Sequence, residues 1–339
     1  MRAIVLSVRA QADNTMRITS VQNPAVKHCV KLRTSGSYRR QAGSVLLVGQ
    51  DLVLEVAACG AAVTALVGLD GMPLPDIPAQ RYVAVSEAVM AKLAGLESVS
   101  RGALAAEVAL PPAADLLSLP PGSLSRVLAL DGVQDPGNLG TLLRTALALG
   151  WQAAVLLPGC CDAFNDKALK ASRGAAFRLP VAQLTLEQWE QLLEKQGLVA
   201  LAAEPDRSAG SSSSSSGDGG DNGSLLIGSA AGGGAAATGQ HLQQEQQVQQ
   251  QQLLQPVEAA GSLAEAQARL AALRLCLCLG AEGQGVSAAV QRHCRSVSIP
   301  QPGEMESLNA AAAGAVLMFA LSRGAVLLLA SLAALPSAD

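Results

Sequence analysis

Aromatic residues are scarce in this sequence. Its 339 residues include two Trp, two Tyr and three Phe, which make up 2% of the chain, whereas hydrophobic residues make up 50%. A chain of this length and apolar content can bury a sizeable core. Because so few aromatic rings are available, we expect Ala, Leu and Val to build that core.

The seven cysteines lack the spacing of metal ligands and of disulfide frameworks. Cys160 and Cys161 are adjacent, and Cys276 and Cys278 alternate within an apolar run. Neither arrangement is typical of a zinc knuckle or of a secreted disulfide scaffold. The pattern therefore predicts no metal site and indicates reduced, buried thiols.

An uninterrupted hydrophobic run of membrane-spanning length is also missing. The longest apolar stretch, 310–335, is rich in alanine and is interrupted by Ser322 and Arg323. A membrane-spanning helix needs about 20 consecutive, mostly apolar residues. We therefore expect a buried helix here and no association with a membrane.

The chain also lacks a strong overall charge, because its formal net charge is −3. Positive charge is instead concentrated in residues 1–45, which have a net charge of +7, and the remainder has −10. A basic arm on an acidic body is expected where one end contacts phosphates. The first residues carry arginine and little acid, which is compatible with a transit peptide. We predict a chloroplast or mitochondrial location, with a cytoplasmic location as the alternative.

Alternating helical and extended patterns predict an α/β fold in two domains. The expected strands are 45–48, 63–69, 81–85, 103–110, 127–130, 153–157, 198–202, 273–279 and 296–299. The expected helices are one capped at Asn23, followed by 52–59, 86–96, 139–149, 166–173, 186–196 and 308–322. The predicted segments are a basic N-terminus or transit peptide (1–16), a first domain (17–110), a proline-rich linker (111–125) and a second domain (126–335).

A low-complexity stretch interrupts the second domain at 206–261. It contains six consecutive serines, glycine clusters and a glutamine tract. Such a segment buries too little apolar surface to offset the entropy lost on ordering, so we predict a disordered insertion.

The first candidate site segment is 130–146, in which a predicted strand leads through a Gly/Pro turn into a helix. We expect Asn138 to cap that helix, because its side-chain oxygen can accept a backbone N–H. The helical leucines share one arc, and Arg144 lies on the opposite arc near Gly140. Bare glycine backbone at a helix N-terminus forms an anion site, here one turn from a guanidinium. We therefore predict a functional role for Arg144 rather than that of a solvated surface arginine.

The second and third candidate segments also follow predicted strands. Residues 279–287 form a glycine-rich loop with the spacing G-x-x-G-x-G, at the end of a strand where open α/β sheets bind ligands. This spacing differs from the dinucleotide fingerprint, and a nonfunctional turn remains an alternative. In 297–311, a strand and a Pro/Gly loop precede an alanine-rich helix that we expect Ser307 to cap. Capping by Ser307 does not account for Asn309.

Together these three segments resemble the three signature motifs of the SpoU branch of the SPOUT RNA methyltransferases. The resemblance covers about 126–330, and 17–110 is similar to the family's ribosomal-protein-like RNA-binding domain. It implies a trefoil-knotted α/β domain behind a smaller α/β domain, and a homodimer formed through the C-terminal domain. The sequence departs from the family pattern in four places: Ala281 stands where asparagine is common, Lys170 replaces an arginine, Arg173 stands where a small residue is usual, and Gly49-Gln50 stands where Glu-Gly is usual.

The resemblance also implies an activity, which is transfer of a methyl group from S-adenosylmethionine to a ribose 2′-hydroxyl of structured RNA. The implied catalytic residues are Arg144, Asn138, Glu282, Ser307 and Asn309. The implied cofactor contacts are Gly280, Ile299, Leu308, Leu279 and Gly283. The expected RNA-contacting residues are Lys27, Lys31, Arg33, Arg39 and Arg40.

Several alternatives stay open at this point. The RNA target is ribosomal RNA by preference, with tRNA as the alternative. The chain is alternatively an RNA-binding or assembly protein with an inactive methyltransferase fold. A nucleotide-dependent oxidoreductase would explain the loop at 280–285 but neither of the other two segments.

Overall fold

A computed structural model describes residues 15–204, 226–228, 272–301 and 308–322. The chain divides into two compact units. The N-terminal unit contains Met1–Ala113, Asp135–Arg144 and Cys161–Leu179, and the C-terminal unit contains Ala114–Gln134, Thr145–Cys160 and Pro180–Asp339. The predicted boundaries, 17–110 and 126–335, place the two shorter segments of the N-terminal unit in the second domain instead.

The N-terminal unit is built on a five-stranded sheet. Its strands are β1 (Thr15–Ile18), β2 (Ser44–Val48), β3 (Val63–Leu69), β4 (Ala79–Val85) and β5 (Leu104–Ala109). Their order in the sheet is β1-β4-β3-β5-β2. Strands β1, β3 and β4 run parallel, and β5 pairs antiparallel with β2 and β3. Its helices in the first 113 residues are α1 (Pro24–Thr34), α2 (Gly36–Ala42), α3 (Gln50–Ala58) and α4 (Glu87–Ala94).

Helices cover both faces of this sheet. One core layer packs α1 and α4 on the sheet through residues that include Leu32 and Met90. The other layer contains Val53 of α3 and Leu169 of α6 (Asp166–Ser172), and a 3₁₀ turn (Ala175–Phe177) follows α6. Because β2, β3 and β5 are buried along almost their whole length, this part of the sheet lies between two helical layers, which is the α/β arrangement expected from the sequence.

The C-terminal unit is built on a seven-stranded sheet. Its strands are β6 (Arg126–Asp131), β7 (Ala153–Leu156), β8 (Val181–Gln183), β9 (Val199–Ala203), β10 (Leu226–Gly228), β11 (Leu275–Gly280) and β12 (Cys294–Ser298). Their order in the sheet is β10-β12-β9-β11-β6-β7-β8. Strand β10 pairs antiparallel with β12, and the other pairs are parallel. The remaining helices in the described part of the chain are α5 (Pro136–Ala148), α7 (Leu186–Gln196), α8 (Ala288–Gln291) and α9 (Ala310–Ala320).

One face of this sheet packs on Trp189 and Leu192 of α7 and on Val290 of α8. The end of α9 is held by Arg126, whose buried guanidinium donates from Nε to the Leu321 carbonyl at 2.8 Å. Within the described ranges, no helix combines the length and apolarity that crossing a bilayer requires.

Two expectations about this architecture are wrong in part. Residues 226–228, within the predicted disordered insertion, form β10, whose Leu226 is paired with Ser298 of β12. A short Leu-Ile pair can extend an exposed sheet edge even inside a polar tract, because edge pairing needs few residues. The rest of the predicted insertion lies outside the described residues. The thiols are not all buried either, since Cys59 is exposed beyond the end of α3.

Candidate active site

The carboxyl ends of several parallel strands meet at one edge of the C-terminal sheet. Gly280 of β11 is in register with Asp131 of β6, and β9 and β12 end beside them. Ligands of open α/β sheets bind outside this edge, where connections leave the strands. The glycine-rich loop predicted from the sequence therefore lies where a ligand site is expected.

A cavity of about 590 Å³ opens at this edge within the C-terminal unit. It contains all five residues predicted to contact the cofactor, together with Glu282 and Asn309. Its lining in the described chain includes two carboxylates, Glu204 and Glu282, and no lysine, arginine or histidine. The lining residues are Ala203, Glu204, Leu279, Gly280, Ala281, Glu282, Gly283, Gln284, Gly285, Ile299, Gln301, Leu308, Asn309, Ala310, Ala313 and Leu317.

The loop after β11 folds back tightly on Gly280. The Gly285 amide donates to the Ala281 carbonyl at 2.8 Å, and these two residues form an antiparallel bridge. A Cβ on Gly280 would overlap the Gly285 carbonyl group and the Val286 nitrogen. Gly283 and Gly285 have φ angles of 74° and 69°, which favour glycine. The glycines thus shape one wall of the cavity.

Asp131 links this loop to the neighbouring strand, a role that the sequence analysis missed. It ends β6, and its Oδ2 accepts a hydrogen bond from the Ser287 amide at 2.7 Å. The Ser287 side chain in turn caps the short helix α8. The role of Asp131 could have been predicted from its position, because it is an acidic residue at the carboxyl end of a parallel strand.

Glu204 is the second residue that the sequence analysis missed. It follows β9, and its Oε2 accepts from the Ser296 hydroxyl at 2.9 Å. Its Oε1 accepts from the Gln291 amide group. These contacts fix a carboxylate in the cavity wall through residues of β12 and α8.

Asn309 is the N-cap of α9, so the expectation that Ser307 caps this helix is wrong. The Asn309 Oδ1 accepts from the amides of Ala311 and Ala312 at 2.9 and 3.2 Å. Asparagine in this position satisfies two amides that the first turn leaves unpaired. Ser307 lies outside the described residues.

Asn138 does not cap α5, which corrects a second expectation. The helix begins at Pro136, and Asp135 caps it by accepting from the Asn138 amide at 2.7 Å. Proline is well tolerated at the first helical position, because the missing N–H would be unpaired there. Asn138 therefore lies in the first turn, two residues further into the helix.

Arg144 is exposed on α5, on the same face as Gly140, as the helical periodicity predicts. A Cβ on Gly140 would lie 2.8 Å from Ala171 Cβ and 2.9 Å from the Ser172 nitrogen. Only glycine allows this approach, so the face of α5 that carries Arg144 packs closely against α6. Both segments belong to the N-terminal unit.

The predicted RNA-contacting residues differ in their exposure to solvent. Lys27, Lys31 and Arg40 are exposed on α1 and α2. Arg33 is half-buried and lies beside Gly95 at the end of α4. Arg39 is only 2% exposed, so the expectation that it contacts RNA is wrong.

The buried Arg39 guanidinium binds groups within the N-terminal unit. It donates from Nη1 to the Leu32 carbonyl at 2.8 Å and from Nε to Asp162 at 3.2 Å. A buried guanidinium with these partners ties α2 to α1 and to the turn before α6. The basic side chain of Arg39 led to the wrong prediction, because sequence alone does not distinguish a buried arginine from an exposed one.

The family of the chain follows from comparison with known proteins. The sequence profile of the SpoU rRNA Methylase family matches residues 125–253 and 238–319, which is more than half of the chain. The chain belongs to the SpoU rRNA methylase family. This matched region contains the cavity, the glycine loop and Arg144, so the resemblance of the three segments is confirmed.

Individual SpoU relatives extend this finding. The chain is 32% identical over 185 residues to the 23S rRNA (guanosine(2553)-2′-O)-methyltransferase RlmP of Bacillus subtilis, covering 54% of this chain and 71% of the relative. It is 33% identical over 160 residues to the mitochondrial rRNA methyltransferase 3A of Danio rerio, covering 43% of this chain and 35% of the relative.

A solved structure shares the fold over most of the chain. The AdoMet-bound rRNA methyltransferase of Sinorhizobium meliloti superimposes with a TM-score of 0.62 at 21% identity, covering 92% of this chain and 98% of that one. At this identity the likeness shows the fold alone. The predicted SPOUT-type α/β class is confirmed, whereas the trefoil knot stays a prediction.

Proposed function

We propose that this chain transfers a methyl group from S-adenosylmethionine to a ribose 2′-hydroxyl of ribosomal RNA. The observation that carries the proposal is the cavity at the carboxyl edge of the C-terminal sheet, which contains every predicted cofactor contact. Membership of the SpoU rRNA methylase family supports ribosomal RNA over tRNA. The names of the B. subtilis and S. meliloti relatives support the 2′-O position and the cofactor, respectively.

The charge of the cavity suits a sulfonium cofactor. Its volume is within the range of small-molecule sites, and its described lining holds Glu204 and Glu282 but no cationic side chain. The pyrophosphate of a dinucleotide would meet carboxylates without a compensating base, which is unfavourable. S-adenosylmethionine carries a sulfonium and an ammonium group against a single carboxylate, so its net charge is positive and is attracted by the two carboxylates of the cavity. This argues against the oxidoreductase alternative.

When bound, S-adenosylmethionine supplies an activated methyl group to the attacking ribose oxygen. We propose that Gly280, Leu279 and Gly283 hold it through the glycine loop, and that Ile299 and Leu308 supply the apolar contacts. Asn309 fixes the start of α9 beside the same cavity. Glu282, exposed in the loop, orders the loop, and Ser307, which lies outside the described residues, contributes to catalysis in this proposal.

Arg144 acts on the RNA rather than as a base. A guanidinium stays protonated in proteins, so it cannot accept the proton that the hydroxyl loses. We propose that Arg144, assisted by Asn138, binds the phosphate next to the target ribose and orients the hydroxyl. Positioning of this kind can supply a large part of the rate acceleration. The proton then leaves to solvent.

The test is Arg144→Ala, with Arg101→Ala as a matched control at another exposed arginine. Methyl transfer from labelled S-adenosylmethionine is measured on protein-free rRNA and on tRNA, and cofactor affinity is measured by calorimetry. We expect Arg144→Ala to lower turnover at least a hundredfold, leaving cofactor affinity within about twofold, because positioning acts on the transition state. Loss of both would place Arg144 in cofactor binding, and wild-type transfer to tRNA alone would reject the rRNA target.

Two further parts of the proposal concern assembly and location. Val316 and Phe319 of α9 are exposed, at 47% and 41%, which supports a homodimer through this helix. Light scattering should give twice the monomer mass, and Phe319→Ser should reduce it.

The mitochondrial name of the zebrafish relative supports an organellar location. Fluorescent fusion of residues 1–40 tests that location, because a cytoplasmic signal would contradict it.

A further inference from the structure

Arg173 has an unusual backbone conformation. It follows α6 with φ at 49° and ψ at 43°, and no other non-glycine residue has a positive φ in the described ranges. A long side chain is strained in this region, where glycine is not. The neighbouring Gly174 also has a positive φ, and its Cβ would lie 2.6 Å from Val56 of α3. The turn is held closely against α3, and strain at Arg173 is retained there.

The side chain of Arg173 forms a forked ion pair. Its Nε lies 3.0 and 3.1 Å from Oε1 and Oε2 of Glu55, and its Nη2 donates to Oε1 of the same carboxylate. Asp51, one turn earlier on α3, lies 3.9 Å away. Both Arg173 and Glu55 keep about 40% of their side-chain surface exposed. An exposed pair of this kind adds little stability, so it does not by itself account for a strained arginine.

Arg144 lies beside this pair. Gly140 of α5 packs on Ala171 and Ser172, which immediately precede Arg173. Arg144 is one turn further along the same face of α5, next to the end of α6. The Arg173 guanidinium lowers the pKa of the Glu55 carboxyl, and Arg144 and Arg178 add to this effect. We call Arg144, Arg173 and Arg178 the arginine cluster; Glu55 is the carboxylate that it surrounds.

We propose that Arg173 is a further RNA-binding residue, and that Glu55 holds its guanidinium where an RNA phosphate binds. The inference rests on the proposed function, since it assigns a second phosphate contact beside Arg144. Carboxylate and phosphate offer the same pair of oxygens to a guanidinium fork. Because the pair is exposed and weak, exchange of Glu55 for a phosphate is inexpensive. Glu55 thus orders the fork before RNA arrives and competes with it afterwards.

Two substitutions test the exchange in opposite directions. Glu55→Gln frees the Arg173 fork, and we expect RNA affinity to rise about two- to fivefold. The slope of log affinity against log salt should stay as in the wild type, because Arg173 contacts the same phosphate in both proteins. Arg173→Gly removes the side chain and relieves the positive φ, so the melting temperature should not fall. Its affinity should decrease, and its salt slope should become shallower by about 0.7 to 0.9, as for one lost phosphate contact.

The measurement is fluorescence anisotropy of a labelled RNA hairpin with an unpaired loop, between about 50 and 200 mM salt. Glu97→Gln is the matched control, because it removes the same charge from an exposed site outside the cluster. If Glu55→Gln and Glu97→Gln raised RNA affinity equally, the change in net charge alone would explain the effect, and the proposal would be overturned. Unchanged binding by Arg173→Gly would also overturn it. Wild-type protein that neither binds nor methylates RNA would reject the proposed function as well, whereas normal wild-type activity with an unchanged salt slope for Arg173→Gly rejects this inference alone.

Discussion

Gly280→Ala tests the geometry of the cofactor cavity most directly. The new Cβ would overlap backbone atoms of Gly285 and Val286, which cannot rotate away as the end of a side chain can. The loop must therefore move by well over an ångström, and the hydrogen bond from Gly285 to Ala281 is lost. Overpacking costs about 1–3 kcal/mol, and the lost hydrogen bond adds about 1 kcal/mol.

That cost falls on a wall of the cavity, so we expect cofactor affinity to fall. A penalty of about 2–4 kcal/mol corresponds to about 30- to 700-fold, at a factor of ten per 1.4 kcal/mol. Isothermal titration calorimetry with S-adenosylmethionine measures the affinity, and thermal unfolding with and without the cofactor measures how much of the cost falls on the fold. Since we propose that Arg144 binds RNA rather than the cofactor, Gly280→Ala should change cofactor affinity and Arg144→Ala should change turnover.

Gly283→Ala is the matched control in the same loop. Its φ is 74°, and nothing lies within 4 Å of an added Cβ, so the substitution introduces conformational strain without overlap. We expect a cost of about 1 kcal/mol, or roughly a fivefold loss of affinity. If Gly280→Ala bound the cofactor as well as Gly283→Ala does, the loop would not be folded back on Gly280, and our description of the cavity wall would be wrong.

Three further predictions concern the helix cap, the thiols and the insertion. Asn309→Ala should lower the free energy of unfolding by about 1 kcal/mol, measured by urea denaturation, whereas Asn309→Ser should restore most of it, because serine also caps. Burial raises the pKa of Cys29 to about 12, so at pH 8 a thiol reagent should modify the exposed Cys59 and leave Cys29 unreacted in the folded protein; modification of Cys29 at the same rate would contradict its burial. Deletion of 229–261 should change stability by less than about 1.5 kcal/mol and leave cofactor affinity unchanged, measured by denaturation and calorimetry; lost affinity would give the segment a role in the cavity.

Regular elements were predictable because their signals are local. The strand at 63–69 and the helix at 186–196 have the predicted bounds, since apolar periodicity and flanking cap or turn residues agree there. Short elements were missed for the same reason. Strand β1 and strand β8 contain four and three residues, too few for a period to emerge. Their pairing with longer strands stabilises them, and pairing is not visible in a short window of sequence.

Helix caps show where local reasoning fails at the site itself. Two candidate caps lie close to each helix start, Asp135 and Asn138 for α5, and Ser307 and Asn309 for α9. Asp, Asn and Ser side chains all accept backbone N–H groups, so propensity does not choose between them. The choice is made by where the chain leaves the preceding strand, which is a property of the sheet. The prediction that Arg39 contacts RNA failed for a similar reason. The charge of an arginine does not show whether its guanidinium lies in a core or on a surface.

The position of the insertion explains how the fold tolerates so polar a segment. It follows Ala203 of β9 and precedes Leu275 of β11, which are neighbouring parallel strands. Parallel neighbours require a crossover of about a dozen residues or more in any case. Lengthening that crossover several-fold costs only about 1.5 kcal/mol, since each doubling adds about 0.6 kcal/mol. The register of β9 and β11 is set by their own buried faces, so the carboxyl edge that forms the cavity is unaffected by the length of the connection.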